Sequence, residues 1–456
     1  MKKTAIVILI IMSAALSLSG QEKLWSLEEC INHAIDNNIM IKQQELQTRL
    51  QENTLEQSKL DLLPSLNGTA TNNWSFGRAL DETTYQFTEE ENVRSNQVYA
   101  SAGLTLFSGL QNYNTILSKR YRLDASFQDL QNIKDDISLN VALAYLQILL
   151  NRELVNVTRN QLQTTMEQIE KTRKMVDAGS LPRGSLLEIQ AQAAREELQV
   201  INMENQLDLA YLNIVQLLEL ESVEGFDIII PDISISETAM ITENINDIYR
   251  RANEIRPEVI SAELKLKSAE YDLRIARGGR SPRLNLNTTF STGYSSIRQK
   301  ILGIDPVEGI LYGEYSFSDQ INDNINYGIG LTLSIPVFNG WQVNTSISNS
   351  RINIQNNRYN LENTRKQLYK NIQQAYADAQ ASLKSYLASQ KAVESMQESF
   401  RYTEQRFNVS MVTPVEYNTA KAQLLNAESE VAQSKYEYIF KTKVLDFYRG
   451  LPLSLN

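Results

Sequence analysis

Leu66-Asn67-Gly68-Thr69-Ala70-Thr71-Asn72-Asn73-Trp74-Ser75-Phe76 alternates in character, with Gly68 and Asn72 as the non-apolar residues among its even positions. Its even positions carry Leu66, Ala70, Trp74 and Phe76, and its odd positions carry Asn67, Thr69, Thr71, Asn73 and Ser75. Successive side chains of a strand point to opposite faces, so this pattern gives one apolar face and one uncharged polar face. Three more stretches read the same way. Val98, Ala100, Ala102, Leu104 and Leu106 alternate with Gln97, Tyr99, Ser101, Gly103 and Thr105. Leu284, Leu286 and Phe290 alternate with Asn285, Asn287 and Thr289. Ile325, Tyr327, Ile329, Leu331 and Leu333 alternate with Asn324, Asn326, Gly328, Gly330 and Thr332. Strands are therefore expected over 66–76, 97–107, 284–294 and 323–335. A half-buried sheet in a water-soluble domain alternates in this way too. The lengths suit a tilted membrane-crossing strand, and an Asn/Thr/Ser/Gly face in place of Lys and Glu favours the membrane.

Four strands cannot close a barrel by themselves. An open sheet in hydrocarbon leaves two rows of unpaired backbone groups, a cost on the order of tens of kcal/mol, more than the stability of a domain. Several copies must pool their strands. Two would supply eight, an interior filled by side chains; three would supply 12, enough for a lumen. The residues alone do not choose between them.

The rest of the chain is defined by where Gly and Pro are missing. Neither occurs in 21–63, 110–178, 185–224, 341–413 or 415–449. Helix interiors exclude these residues at about 1 and 3 kcal/mol respectively. The intervals are rich in Gln, Glu, Lys, Leu and Ala, with apolar residues at helical spacing, as in Val141, Tyr145, Leu146, Leu149 and Leu150. At 1.5 Å per residue, about 70 residues make a rod of about 100 Å, which points to coiled-coil-like hairpins.

The chain also repeats itself. Leu62-Leu63-Pro64-Ser65-Leu66 aligns with Arg280-Ser281-Pro282-Arg283-Leu284 at an offset of 218. Phe107-Ser108-Gly109 aligns with Phe338-Asn339-Gly340, and Gln190-Ala191-Gln192 with Lys421-Ala422-Gln423, both at 231. The offset changes once, between the two strands of each half, so the second half carries its extra residues there. Two tandem copies of a helix–strand–strand–helix–helix unit account for this.

Composition narrows the function. The 456 residues carry 44 Lys and Arg against 54 Asp and Glu, a net charge of −10, with no basic block to hold phosphate backbones, so no nucleic acid is expected. One His (His33) and one Cys (Cys30) exclude a zinc cage, a catalytic triad and an intramolecular disulfide. Both lie in a helical pattern and are expected to pack as core. No Gly-rich phosphate loop or nucleophile elbow appears, and neither an enzyme nor a cofactor is expected. Met1-Lys2-Lys3-Thr4, an apolar run from Ala5 to Leu18, and Ser19-Gly20 read as a secretory leader. No later run of about 18 apolar residues exists, so membrane entry must be by strands.

The leader, the 218/231 repeat, the Leu-Pro-Ser-Leu lead-in to strand one, the Phe-x-Gly exits and the two long hairpins together resemble the TolC-like outer-membrane efflux channels, across essentially the whole mature chain. The resemblance implies a homotrimer with a shared 12-stranded β-barrel and an α-barrel tunnel through the periplasm. Its partners would be a periplasmic adaptor, an inner-membrane transporter and outer-membrane lipid. The implied organisation is a leader over 1–20, a helix over 21–65, strands over 66–109, a hairpin over 110–220 and an equatorial belt over 221–245. A helix over 246–283, strands over 284–336, a hairpin over 337–450 and a tail over 451–456 complete it. The loops 77–96 and 295–322 would face outside, the second being longer. Leu66, Trp74, Leu104, Leu106, Leu284, Leu286, Ile329 and Leu331 would face lipid. Trp74, Phe76 and Tyr294 at one end of the strands, and Phe107, Phe338 and Trp341 at the other, would form aromatic girdles.

The resemblance also assigns the helix turns to the adaptor. Gly179, Ser180, Leu181 and Pro182 form the first, and Ser410, Met411 and Val412 the second, with Ser410 where the family has glycine. Read without the family, each is a plain helix-terminating turn; exposed Leu181 or Met411 would call for a partner. The family places acidic residues just past the turns, around the closed end of the tunnel. Glu416 and Glu188 fall there, while Thr419 and Ser185 lack the acid. Three copies of each carboxylate around a narrow lumen would attract cations. The local alternative is a pair of solvated carboxylates favoured by helix dipoles. The expected function is a passive exit duct in efflux or type I secretion. The rivals are a coiled-coil scaffold with a soluble sheet and a carboxylate-dependent hydrolase, for which no paired acids converge.

Overall fold

Helices begin and end where the local chemistry requires. Ser26 and Glu29 form a reciprocal capping box, with the Glu29 amide donating to Ser26 Oγ at 3.2 Å and the Ser26 amide donating to Glu29 Oε2 at 2.9 Å. The computed structural model describes residues 23–81, 83–88, 91–231, 243–306, 309–409 and 411–455. The leader expected over 1–20 and Ser410 lie outside the described residues, as does 232–242 of the expected belt.

In chain order the elements are β1 (Lys23–Trp25), α1 (Leu27–Asn37), α2 (Ile39–Leu60), β2 (Ser65–Gly77), β3 (Leu80–Asp81), β4 (Gln86–Phe87), β5 (Glu91–Phe107), α3 (Gln111–Asp177) and α4 (Arg183–Leu217). There follow β6 (Phe226–Ile228), α5 (Ile245–Ile255), α6 (Pro257–Gly278), β7 (Arg283–Ser295), β8 (Lys300–Asp305), β9 (Gly309–Gly313), α7 (Phe317–Asp323), β10 (Asn326–Ser334), α8 (Gln342–Asn408) and α9 (Pro414–Arg449). The fold is mainly α, with long helical hairpins and one four-stranded antiparallel sheet.

The repeat is visible in the element bounds. α1, α2 and β2 recur as α5, α6 and β7 displaced by 218, and α3 recurs as α8 displaced by 231. The strand-to-helix corners recur as well. Gly109 and Leu110 both adopt positive φ (62° and 61°), and so do Gly340 and Trp341 (59° and 66°). A Cβ on Gly109 would stand 2.6 Å from the Gly278 carbonyl oxygen, so glycine is required there for space as well as for conformation.

The chain divides into two compact units. One comprises Met1–Thr48, Ala125–Ala262 and Asn360–Asn456. Its main core gathers Ile137, Val141, Tyr145 and Ile148 of α3, Ile214 of α4, Leu27 and Cys30 of α1, and Ile439 of α9. Parallel pairing of β1 with β6 lies against this core, and the Tyr145 hydroxyl donates to the Ile229 carbonyl at 2.5 Å. Cys30, the one cysteine of the chain, is fully buried, and the half-buried His33 packs edge-on against Trp25 at 5.1 Å. The other unit comprises Arg49–Asp124 and Glu263–Tyr359 and contains the sheet. There Arg122 bonds Asp272 at 2.6 Å and Tyr121 stacks on Tyr271 at 5.4 Å.

Three expectations need correction. The strand expected over 97–107 starts earlier, at Glu91, because its ladder with β2 continues to Gly77. The strand expected over 323–335 covers only Asn326–Ser334. The residues before it are held in α7, whose Asp319 amide donates to Ser316 Oγ at 3.1 Å. The long segment 295–322 is not an irregular loop; it holds the β8–β9 hairpin and α7, where the residues of the changed offset are used.

Candidate functional site

The sheet runs β10-β7-β5-β2, every neighbour antiparallel. Its register places residues of one face opposite one another across all four strands. Leu66 pairs with Ala102, Ala70 with Val98, Leu104 with Leu286, Leu286 with Leu331, Leu284 with Leu333 and Phe290 with Tyr327. The opposite face pairs Asn67 with Ser101, Thr71 with Gln97, Gly103 with Asn287 and Asn285 with Thr332. Polar bonds run along it, Thr105 Oγ1 donating to Asn285 at 3.1 Å and Asn287 Nδ2 to Thr332 at 3.3 Å. A bulge between Thr105 and Phe107 sets Leu106 and Phe107 together opposite Leu284.

Leu66, Trp74, Leu104, Leu284, Leu286, Ile329 and Leu331 thus share the apolar face, with Leu106 at the bulge. Leu66 and Ile329, on the two edge strands, are each 78% exposed. Trp74 and Phe76 are also open, with the Arg94 guanidinium 5.7 Å from the Trp74 ring. Tyr294 is half-buried against Phe317 at 5.1 Å. Among the described residues β2 and β10 each have one neighbour, so each presents an open row of N–H and C=O groups.

At the first helical turn, Gly179 closes α3 at φ +75°, its amide donating to the Val176 carbonyl while the Ser180 amide donates to the Met175 carbonyl at 2.8 Å. Ser180 and Pro182 are exposed, and Leu181 is half-buried. At the second turn Met411 is 72% exposed and Val412 is half-buried. Val412 and Leu186 cover a small core of Ile169, Ile189, Ala193, Phe407 and Tyr417, which joins the two hairpins below their turns. Glu416 is exposed in the first turn of α9, and its amide donates to the capping Thr413 hydroxyl at 3.2 Å. Glu188 is exposed on α4.

Next to that core lies a seam that the sequence reading missed. The inward stripe of α3 is polar here: Thr158, Gln161, Thr165, Gln168 and Thr172 are all buried. Lys421 reaches in from α9, donating from Nζ to the Gln161 carbonyl at 2.9 Å and to Thr165 Oγ1, with Glu196 Oε2 of α4 at 3.8 Å. Thr165 Oγ1 donates in turn to Glu196, whose second oxygen accepts from Gln192 Nε2 at 2.9 Å. Burial pulls the Lys421 ammonium down to about 8, with the Glu196 and Glu404 carboxylates opposing it. Tyr417, Lys421 and Leu424 are spaced as one helix face, so a lysine within an apolar helical period was the signal to look for. Among the described residues, no group of three or more His, Cys, Asp and Glu is placed to hold a metal, and no helix is long and apolar enough to cross a membrane.

The family model described as "Outer membrane efflux protein" matches residues 30–219 and 248–446. The chain belongs to that family. Its members are outer-membrane ducts, as the resemblance implied. The chain is 24% identical over 327 residues to outer membrane protein TolC of Escherichia coli (strain K12), covering 69% of this chain and 62% of that protein's length. It is 24% identical over 407 residues to TolC of Salmonella enteritidis, covering 87% of this chain and 76% of the relative. The solved structure of CusC superposes with a TM-score of 0.78 at 17% identity, covering 94% of this chain and 92% of that one.

Proposed function

We propose that this protein is the outer-membrane exit duct of an efflux or type I secretion assembly, passively conducting substrates delivered from the periplasm or an inner-membrane transporter. The single observation that carries the reading is the open-edged sheet, apolar on one face and Asn/Thr/Ser/Gly on the other. With four alternating strands the two edges run antiparallel, so β10 of one copy can pair with β2 of the next and a ring can close. Three copies supply 12 strands and a wet lumen, which agrees with the polar face. Leu66, Trp74, Leu104, Leu106, Leu284, Leu286, Ile329 and Leu331 then face lipid.

The helices support the same assembly. Leu187, Leu198, Ile201, Leu209 and Leu212 of α4 recur on one helical face and stand open in the single chain, a seam that a neighbouring copy would cover. In this reading 66–109 and 284–336 supply the barrel, 110–220 and 337–450 the tunnel, and 221–245 a belt. The periplasmic adaptor grips the turns at Gly179, Ser180, Leu181, Pro182, Ser410, Met411 and Val412. The chain itself performs no chemistry, binds no nucleic acid and uses no cofactor.

The deciding experiment is a mass measurement on crosslinked, detergent-solubilised protein. Three copies are expected, whereas a monomer that purifies without detergent would replace the duct by a soluble scaffold. Within the trimer, Glu188 and Glu416 are assigned to the constriction. Glu188→Ala with Glu416→Ala is expected to raise conductance in planar bilayers and weaken block by divalent cations; unchanged conductance and block would remove the assignment.

A further inference from the structure

The polar face of the sheet is uncharged along its ladders. From Ser65 to Ser75 on β2, Ser95 to Thr105 on β5, Asn285 to Ser295 on β7 and Asn326 to Ser334 on β10, it carries only Asn, Gln, Ser, Thr, Gly and one tyrosine. That tyrosine is Tyr99, the middle residue of the 17 in β5. It pairs with Thr69 on one side and Ser291 on the other, and Ser291 pairs with Asn326. One rung across all four strands thus holds a single large side chain among small ones.

Neither the girdles nor packing accounts for it. Girdle aromatics stand at strand ends on the face that meets lipid, whereas Tyr99 is central and on the opposite face. Elsewhere tyrosine rings find partners, Tyr121 on Tyr271 at 5.4 Å and Tyr294 against Phe317 at 5.1 Å. Tyr99 is 39% exposed; among the described residues its ring has no aromatic or cationic neighbour and its hydroxyl no hydrogen-bond partner. The repeat shows that the strand does not need bulk at this level. The residues displaced by 231 from Gln97 and Tyr99 are Gly328 and Gly330. A Cβ on Gly330 would meet no atom within 4 Å, so the second half has room for a side chain there and does without one.

We propose that Tyr99 is a binding site in the lumen, one of three equivalent phenol faces on which aromatic solutes stack as they leave. The proposal rests on the duct reading, which closes the polar face around the passage. Twelve strands about 4.8 Å apart and tilted by about 40° give a circumference of about 75 Å, hence a backbone radius of about 12 Å. A tyrosine side chain falls well short of that, so the three rings do not meet and each stays open to the passing solute. With no charge at this level, the ring faces are what distinguishes one solute from another. Ring stacking changes occupancy by about two- to tenfold, enough to select and weak enough to release.

The test uses the full chain assembled in nanodiscs of deuterated lipid, read by saturation-transfer NMR. The probes are N-acetyl-tryptophanamide and the non-aromatic N-acetyl-leucinamide, both uncharged. Tyr99→Thr copies the neighbouring strand, Tyr99→Leu keeps an apolar bulk without the ring, and Tyr99→Phe keeps the ring. Partition into lipid contributes equally in all four proteins, so differences between them report the site. The indole signal is expected to fall severalfold in Tyr99→Thr and Tyr99→Leu and to persist in Tyr99→Phe, with the leucinamide signal the same throughout. Equal indole signals in the parent and Tyr99→Thr would overturn the site. Retention in Tyr99→Leu, or a parallel fall of the leucinamide signal, would overturn its aromatic selectivity. Failure of both Tyr99→Thr and Tyr99→Leu to assemble would also overturn it, by making Tyr99 a folding requirement. A parent chain that does not assemble as three copies would remove the duct reading itself, an outcome separate from the others.

Discussion

Two segments of the same helix make opposite use of the same period. Near its middle, α3 turns Ile137, Val141, Ala144, Tyr145 and Ile148 inward, and the space is filled by apolar side chains from α1, α4 and α9. Two to three turns further on, Thr158, Gln161, Thr165, Gln168 and Thr172 face inward and are buried to a similar degree. The first segment gains from burial and loses nothing to unmet hydrogen bonds. The second must find a partner for every polar atom, and among the described residues Gln161 Nε2, Gln168 Nε2 and Thr172 Oγ1 have none. Burial alone therefore does not make the hairpins equally rigid; the chemistry of the buried stripe decides which end of the joint holds and which end yields.

The largest effect is expected where the apolar segment is opened. Ile148→Ala removes a fully buried side chain, and it should destabilise the protein by about 2–5 kcal/mol in heat or denaturant melts of the detergent-solubilised form. A change near zero would mean that the filled core is no stiffer than the polar seam. Thr172→Val probes the other segment with the opposite sign. It removes a buried hydroxyl that has no partner among the described residues, and the variant should be more stable by about 1 kcal/mol. Destabilisation of that size would instead show that the hydroxyl is satisfied when the copies assemble.

The smallest effect concerns Glu428 of α9, whose carboxyl is pushed above its ordinary 4.5 by burial. Just above that value the folded chain holds a proton that the unfolded chain has lost, so stability falls as pH rises through the window. Glu428→Gln has no such proton to lose. It should match the parent at acid pH and be slightly more stable at pH 7, by less than about 1 kcal/mol for a half-buried group. Parallel stability-versus-pH curves for the two proteins would contradict the assigned cause.

Helix limits and strand faces were legible in the sequence because they are local. Gly179, Pro414 and Gly450 end or begin helices through their own backbone preferences, and the alternation from Leu66 to Phe76 sorts side chains to two faces whatever lies beside them. The 218 and 231 offsets carried over directly into element bounds for the same reason. Signals that depend on what is packed nearby read less well. α7 was hidden inside a segment taken as loop, since seven residues are too few to show a helical period. Nothing local to the second turn indicates that Val412 packs against the small core around Ile189 and Tyr417.

The primary structure thus determined the repeat, the long helices and a sheet with two unlike faces, each set by propensity and period over a few residues. Only the tertiary structure decided that Lys421 would meet Glu196 and Thr165, that Gln161 Nε2, Gln168 Nε2, Thr172 Oγ1 and the Tyr417 hydroxyl would be buried without partners among the described residues, and that β2 and β10 would be the edges of the sheet. Contacts between residues hundreds of positions apart are fixed by which surfaces pack together, and the free energy of a buried polar group depends on the partner it finds there.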